Sequence, residues 1–374
     1  MAVVYITKPH SKVHLEGNHL LVKAENFKQN IYTFNLERLI IVGKVEITHA
    51  ALMHIFRNNI DLVYLTRQGR FVGSFLGEFP KNLFLRLRQY EKSKDKDFSL
   101  QTACSIVRGK VSNMRTFVLR MGRVLKKPVF QQVADNLNKI LFLLPNVKDV
   151  ESLRGFEGQA SKEYFRAYRE GFSQNLKFKK RVKRPPTDPV NACLSFGYTV
   201  LFNIVLGACY AVGLDPAFGA LHSLNYGRAS LALDLMEEFR TPIVDMTVLA
   251  CFNLKILKKD SFVFEKFKPE DSDSAIIEQI DPLKDKFMSN GIQDIEQEEA
   301  DNIANEPDTA TRVLLKTEAK RLFLKRLESR LSKQIYYQRK EKRLSLREII
   351  YAQVEHYASY LRGEYTKYIP FQSR

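Results

Sequence analysis

A pair of carboxylates on one predicted helix is the clearest sign of chemistry in this sequence. Asp234 and Glu237 stand three residues apart within an otherwise apolar helical stretch at 230–240, and this spacing places them on one helix face. Two carboxylates beside apolar residues need a compensating cation. A divalent metal ion would serve, and so would the guanidinium of Arg228 or Arg240. The spacing alone favours neither possibility.

Two further residues are candidates for the same site. His222 follows a predicted helix end and precedes the carboxylate pair, although an isolated histidine is more often structural or simply exposed. Glu157 has Gly158 and Ala160 beside it, which leaves room for another backbone or a ligand. A glutamate near a helix N-terminus is, however, most often a favourable partner of the helix dipole.

The charge of the chain indicates a polyanionic partner, most often nucleic acid. Its 374 residues carry 59 Lys and Arg against 42 Asp and Glu, a net charge of +17. Residues 270–308 alone contribute −11, so the remainder carries +28. Six cations fall within eight positions, and we predict that they contact DNA phosphates, although a solvated face is the simpler alternative. They are Lys177, Lys179, Lys180, Arg181, Lys183 and Arg184.

Several function classes are disfavoured by the sequence. The four cysteines are far apart and form no C-x-x-C pair, which argues against a disulfide framework or a zinc knuckle and for a reducing compartment. No signal peptide is expected. The chain has no phosphate-binding loop of the G-x-x-x-x-G-K-[ST] type, so we expect no intrinsic ATP hydrolysis.

The elements that must position these residues fall into two parts. The first part is rich in short β-branched or aromatic runs separated by turn residues. These runs lie at 3–6, 20–22, 31–34, 39–42 and 62–65. One short helix is predicted at 48–57, with Thr48 as its N-cap. We therefore predict a small N-terminal β domain over residues 1–82.

From residue 83 onward the apolar spacing is helical, which predicts a larger, all-α domain over residues 83–374 that carries the candidate site residues, and an α+β fold class overall. Residues 192–214 carry no charge over 23 positions, which is long enough to span a bilayer. The polar and glycine residues within it favour a buried central helix instead. Residues 269–311 are predicted to form an acidic, exposed insertion, followed by helices at 312–330 and 345–361.

Five short motifs occur in order along the middle of the chain. They are FEG at 156–158, NACLSFGY at 191–198, GLDP at 213–216, GALH at 219–222 and DLMEEFR at 234–240. In this order they resemble the CRISPR-associated integrase/endonuclease family, which supplies the catalytic subunit of spacer acquisition. The resemblance covers about residues 1–255 well and the last helices loosely.

The resemblance implies a catalytic metal site made of Glu157, His222 and Glu237, with Asp234 orienting a ligand or a metal-bound water. Two carboxylates and one imidazole suit Mg²⁺, and suit Mn²⁺ better because of the nitrogen ligand. Such an ion polarises a phosphodiester. Attack by the 3′-OH of a DNA end is then integration, and attack by water is endonuclease cleavage.

The resemblance also implies the partners. These are double-stranded and branched DNA (protospacer and CRISPR repeat), a second copy of the chain joined through the β domain, and a small ferredoxin-like Cas protein. No membrane partner is expected, and the location would be the prokaryotic cytoplasm. Tyr164, Tyr168 and Tyr198 could stack on DNA ends, or could belong to the core. The alternative function is a catalytically inactive, basic DNA-binding scaffold of the same fold.

Overall fold

A computed structural model gives a mixed α/β protein with a β-rich N-terminal region and helices after it. It describes residues 2–25, 27–34, 36–65, 71–75, 82–182, 185–222, 228–267 and 310–373. Two compact units divide the chain, Met1–Lys81 and Asn82–Arg374.

The first unit holds two four-stranded sheets and one helix among its described residues. The first sheet has the order β1-β5-β7-β8, and the second has the order β4-β3-β2-β6. The strands are β1 (Ala2–Ile6), β2 (Ser11–Glu16), β3 (His19–Ala24), β4 (Phe27–Tyr32), β5 (Leu36–Val42), β6 (Val45–Ile47), β7 (Asp61–Leu65) and β8 (Phe71–Phe75). Helix α1 spans His49–Arg57, and the Thr48 side chain caps it by accepting from the backbone N–H of Ala51, as predicted.

The second unit is mainly helical. Its longer helices are α2 (Leu83–Ser93), α3 (Lys96–Leu125), α4 (Pro128–Leu143), α5 (Val150–Tyr168), α6 (Pro189–Val212), α7 (Ser230–Phe239), α8 (Met246–Asn253), α9 (Thr317–Leu331) and α10 (Leu346–Leu361). Helix α3 packs against α4, α5 and α7. It is therefore the element on which the candidate site is assembled.

The prediction that this unit is all-α is wrong in two places. Strand β9 (Phe262–Phe267) pairs with β10 (Ala310–Leu315), and β11 (Gln334–Tyr337) pairs with β12 (Lys342–Ser345), both antiparallel. Residues 312–315, predicted to open a helix, form the end of β10 instead. The partner strand of β10 lies more than forty residues earlier in the sequence, so local periodicity did not reveal it.

Helix α6 is the long apolar segment noted in the sequence. Asp188 caps its start, and Gly213 ends it with a φ of 89°, a left-handed conformation that favours glycine. Within the described residues it is the one helix whose length and composition would suffice to cross a membrane, and 89% of its apolar window is buried inside the protein. Such burial is typical of the core helix of a globular protein, as the sequence predicts.

A π-helical turn, Arg240–Asp245, joins α7 to α8. Its last residue, Asp245, is buried and accepts hydrogen bonds from the hydroxyls of Tyr164 (2.8 Å) and Tyr198 (2.6 Å), while its carbonyl accepts from Tyr168 (2.9 Å). Tyr164 and Tyr168 are fully buried. The hypothesis that these two rings stack on DNA is therefore wrong, and they fix α5 to the turn after α7.

Candidate active site

The carboxylates of Glu157 and Glu237 converge on one cation, the ammonium of Lys110. Nζ of Lys110 donates to Oε1 of Glu157 and lies 2.8 Å from Oε2 of Glu237. The three residues come from α5, α7 and α3. Lys110 and Glu237 are almost completely buried, whereas 16% of the Glu157 side chain is exposed. Helix packing thus brings together two carboxylates that are eighty residues apart in the sequence.

A second cation also contacts Glu237. Nη2 of Arg240, in the π-helical turn, lies 2.9 Å from Oε1 of Glu237. One of the two arginines considered in the sequence therefore does neutralise a carboxylate of the pair. Burial alone would raise the pKa of Glu237, but the charges of Arg240, Lys110 and His222 outweigh it and lower that pKa to about 2.

The pKa of Lys110 shifts in the opposite direction. Burial alone would lower it, but the charges of Glu157 and Glu237 outweigh this effect and raise the pKa of Lys110 above its usual value. Lys110 and Glu237 are therefore both ionised near neutral pH, and the site is a buried salt-bridge network.

Asp234 holds His222 and the loop before it. Oδ1 of Asp234 accepts from the backbone N–H of His222 (3.0 Å) and lies 2.5 Å from its Nδ1. Oδ2 accepts from the backbone N–H groups of Ala220 (2.5 Å) and Leu221 (2.9 Å). Because Nδ1 faces Asp234, Nε2 is the ring nitrogen left for a ligand.

Two more contacts fix this loop. Nε and Nη2 of Arg154 donate to the carbonyl of Leu221 at 3.1 and 2.8 Å. A Cβ at Gly219 would lie 2.7 Å from Oδ2 of Asp234 and 2.7 Å from the backbone carbonyl carbon of Ser230. Only glycine lets the loop approach α7 this closely.

The donor set fits a hard divalent cation. Two carboxylates already converge on one positive charge, and the charge of His222 is close enough to lower the pKa of Glu237. Oxygen ligands with one imidazole suit Mg²⁺ or Mn²⁺. In the described part of the chain, however, no three His, Cys, Asp or Glu side chains lie close enough together to hold an ion as they stand, because Lys110 lies between the carboxylates.

Sequence reasoning missed Lys110 and misplaced Glu157. The helix that carries Glu157 is capped by Asp149, so Glu157 lies in the third turn and not near the N-terminus. Lys110 lies on the face of α3 that also buries Ile106 and Met114. A charged residue at an apolar position of a helix was the signal that could have revealed it.

The predicted DNA-binding segment is only partly described. Lys177, Lys179 and Lys180 are exposed. The guanidinium of Arg181 instead donates to the Val182 carbonyl, to Oδ1 of Asn191 and to Oγ of Ser195, at 2.7 to 2.9 Å, which favours a structural role. Lys183 and Arg184 lie outside the described residues, as does the predicted acidic insertion apart from residues 310 and 311.

Comparison with known protein sequences gives a consistent set of relatives. The profile of the family described as CRISPR associated protein Cas1 matches residues 4–268. A CRISPR-associated endonuclease Cas1 from Thermodesulfovibrio yellowstonii is 35% identical over 70% of this chain and 83% of its own. A second, from Thermus thermophilus, is 30% identical over 100% of this chain and 98% of its own.

Solved structures share the fold. A casposase bound to its integration product has a TM-score of 0.78 at 20% identity and covers 100% of this chain and 95% of its own. A Cas1 protein from Thermotoga maritima has a TM-score of 0.73 at 23% identity, with both chains covered completely.

Proposed function

The chain belongs to the Cas1 family of CRISPR-associated proteins, and from this premise we propose that it is a metal-dependent DNA endonuclease and integrase. It inserts DNA fragments as new spacers into a CRISPR array by attack of a 3′-OH on a phosphodiester. The relatives named as CRISPR-associated endonucleases support the nuclease activity. The casposase bound to an integration product supports the strand-transfer reaction.

One observation carries the proposal. Glu157 and Glu237 converge on a single positive charge beside a histidine whose Nδ1 is held by a buried aspartate. Carboxylates that only stabilise a fold need no such histidine, because Lys110 and Arg240 already neutralise them. A purely structural salt-bridge network does not require this imidazole, whose Nε2 is available to a ligand.

We propose that Glu157, His222 and Glu237 hold Mg²⁺ or Mn²⁺ in place of the Lys110 ammonium. When bound, the ion polarises the phosphodiester and lowers the pKa of the attacking hydroxyl. Asp234 keeps Nε2 of His222 in a fixed position by accepting from Nδ1 and from the loop backbone. The guanidinium of Arg240 lies next to Glu237 and can offset phosphate charge there.

The partners follow from the same family. We propose double-stranded and branched DNA as the substrate, taken from the protospacer and the CRISPR repeat. A complex described as Cas6-RT-Cas1–Cas2 supports assembly with a small Cas partner, which we propose to be ferredoxin-like. Dimerisation through the β-rich unit and a cytoplasmic location in a prokaryote belong to the same proposal.

The experiment measures Mn²⁺-dependent nicking and strand transfer on branched DNA. We expect activity from the wild type and none from His222→Ala, since the variant loses a ligand nitrogen. His49→Ala is the matched control, because His49 is exposed on α1 and distant in sequence from the candidate site. DNA binding measured in EDTA should be equal for all three proteins.

The alternative, a catalytically inactive DNA-binding scaffold, gives a different result. The wild type would then bind branched DNA in EDTA but would yield no Mn²⁺-dependent product. The His222→Ala variant would behave like the wild type in both assays. A wild type without Mn²⁺-dependent product would reject the catalytic proposal, and so would equal activity of the wild type and His222→Ala. The proposed DNA binding would not be affected by either result.

A further inference from the structure

The GLDP motif at 213–216 opens the segment that leads from α6 to His222. We call residues 214–222 the histidine loop. The structure describes the whole of this loop, and none of it is helix or strand. Its backbone N–H and C=O groups therefore need partners from elsewhere in the chain. Asp234 binds the N–H groups of the last three residues, which leaves the first part of the loop to be held by another element.

Helix α2 supplies the partners of this first part. Oε1 of Gln89 accepts from the backbone N–H of Asp215 at 2.9 Å, and Nε2 of Gln89 donates to the Asp215 carbonyl at 2.8 Å. The same Nε2 donates to the carbonyl of Phe218 over a longer distance, 3.4 Å. Gln89 is only 1% exposed. Its amide pairs with both backbone groups of one residue, as a neighbouring β-strand does, and so fixes the position of Asp215.

The next residue of α2, Tyr90, holds the same part of the histidine loop. Its hydroxyl donates to Oδ2 of Asp215 at 3.0 Å, and its ring centroid lies 4.6 Å from that of Phe218. Oδ1 of Asp215 accepts from the backbone N–H of Ala217 at 2.9 Å, which closes a local turn. Burial and then the bond to Asp215 raise the pKa of Tyr90, so its hydroxyl remains a donor. Two consecutive residues of α2 thus bind the backbone and the side chain of Asp215.

The rest of the histidine loop lies against α7. The Pro216 carbonyl accepts from the backbone N–H of Leu231 at 2.8 Å, and Gly219 approaches the backbone of Ser230 so closely that a Cβ would lie 2.7 Å from it. The loop is therefore held between α2 on one side and α7, which carries Glu237, on the other. A displacement of about 1 Å at a catalytic group can cost on the order of 100-fold in rate. The bonds from α2 therefore bear on where His222 stands relative to Glu237.

We propose that Gln89 and Tyr90 are positioning residues for His222. They hold the first part of the histidine loop so that Nε2 of His222 stays within reach of the metal ion. They act through the loop, since the hydrogen bonds of both side chains go to Asp215 and Phe218. The inference rests on the proposed function, because it takes His222 to be a metal ligand. It also gives the GLDP motif a role, which is to present Asp215 to α2.

The first measurement needs no metal. Hydrogen exchange of the histidine loop is followed by mass spectrometry in EDTA, in the full chain. Gln89→Met keeps an unbranched side chain of similar length but loses both hydrogen bonds to Asp215. We expect exchange in residues 214–222 to become about five-fold faster, the size expected for the loss of one or two hydrogen bonds. Gln101→Met, at an exposed position of α3, is the matched control and should leave this exchange unchanged.

The second measurement is the Kd for Mn²⁺ by electron paramagnetic resonance. Gln89→Met should raise this Kd about ten-fold, the lower end of what the loss of a supporting contact costs a metal site. Tyr90→Phe keeps the ring against Phe218 and loses one hydroxyl, so it tests the inference with less risk to folding. We expect it to raise the Kd about three-fold, as for one hydrogen bond. Tyr32→Phe, at a ring that is 62% exposed on β4, is its control.

A double-mutant cycle separates positioning from a general loss of stability. If Gln89 acts through His222, Gln89→Met should not change the Mn²⁺ Kd of His222→Ala. A merely structural role would raise the Kd by the same factor in both backgrounds, and that result would overturn the inference. So would a wild-type Kd in both Gln89→Met and Tyr90→Phe. Mn²⁺-dependent strand transfer by the wild type would then still support the proposed function, whereas a wild type that binds no Mn²⁺ would reject both.

Discussion

Nζ of Lys110 lies 2.8 Å from Oε2 of Glu237, and both side chains are almost completely buried. The same ammonium donates to Glu157. A protein cation thus lies between the two carboxylates that we propose as metal ligands. A divalent ion must compete with this ammonium, so Lys110 should set the metal affinity of the site.

Replacing Lys110 with methionine should destabilise the metal-free protein and tighten metal binding. Removing one partner of a buried ion pair costs about 3–5 kcal/mol, because the remaining charge is left uncompensated. Mn²⁺ can supply that charge. We expect a lower melting temperature in EDTA, a larger rise on adding Mn²⁺, and a lower Kd for Mn²⁺ by electron paramagnetic resonance than in the wild type. Lys139→Met, at an exposed position of α4, is the control. An unchanged Kd together with an unchanged melting temperature of Lys110→Met would contradict the prediction.

Replacing Glu237 should reduce the nicking and strand-transfer activities more severely than replacing Asp234. Glu237→Ala should abolish nicking and strand transfer at any Mn²⁺ concentration, because it removes a ligand. Asp234→Asn should keep weak activity, reduced roughly 10–100-fold and partly rescued by excess Mn²⁺, since its amide nitrogen would face N–H donors of the loop that holds His222. A Mn²⁺ titration of integration into supercoiled DNA separates the two. Rescue of Glu237→Ala but not of Asp234→Asn would mean that the roles are reversed.

Gly219→Ala should reduce the Mn²⁺-dependent activity more than it reduces the stability of the fold. A Cβ there would lie 2.7 Å from both Asp234 and the backbone of Ser230, so the loop must move away from α7 and carry His222 with it. We expect at least a ten-fold loss of Mn²⁺-dependent nicking. Gly155→Ala is the matched control, because a Cβ at that position meets nothing within 4 Å. Equal activities of the two variants would show that the close approach of the loop is not needed.

Replacing residues 268–309 by a two-residue Asn-Gly turn should leave a folded, metal-binding protein. Phe267 and Ala310 are paired residues of the β9–β10 hairpin, so a tight turn can join the strands. An insoluble variant, or one without a cooperative melting transition, would contradict this. The acidic charge of the segment leads to a second expectation. If it mimics DNA, its removal should tighten DNA binding at fixed salt, and unchanged affinity would exclude the mimicry.

His356 should make stability depend on pH. Burial and the charge of Arg339 lower its pKa from 6.5 to about 4, and both ring nitrogens face donors, Arg339 and the backbone N–H of Ile369. The unfolded chain therefore binds a proton that the folded chain does not, between pH 6.5 and pH 4. Stability from this group is complete above pH 6.5 and falls as the pH drops toward 4. Urea unfolding at pH 5 and pH 7.5 should show a smaller difference for His356→Gln than for the wild type.

The sequence by itself determined the features that depend on neighbouring residues. Thr48 and Gly213 mark helix ends because their effect is local: one side chain caps the next turn, and one backbone accepts a left-handed conformation. The apolar residues of α6 favour burial in any tertiary arrangement, because exposing them to water costs free energy. The three-residue spacing of Asp234 and Glu237 predicted that both carboxylates lie on one face of a helix. The order of the five motifs along the chain indicated the family.

Only the tertiary structure decided which charges meet. Lys110 is 47 residues from Glu157 and 127 from Glu237, and their contact depends on how α3, α5 and α7 pack, which no local pattern encodes. The pairing of β9 with β10 was hidden for the same reason, since a strand is stabilised by a partner that can be distant in the sequence. Which cations neutralise a buried carboxylate depends on distances and directions across helix interfaces, as for Lys110 and Arg240 at Glu237, and these distances exist only after the helices have packed.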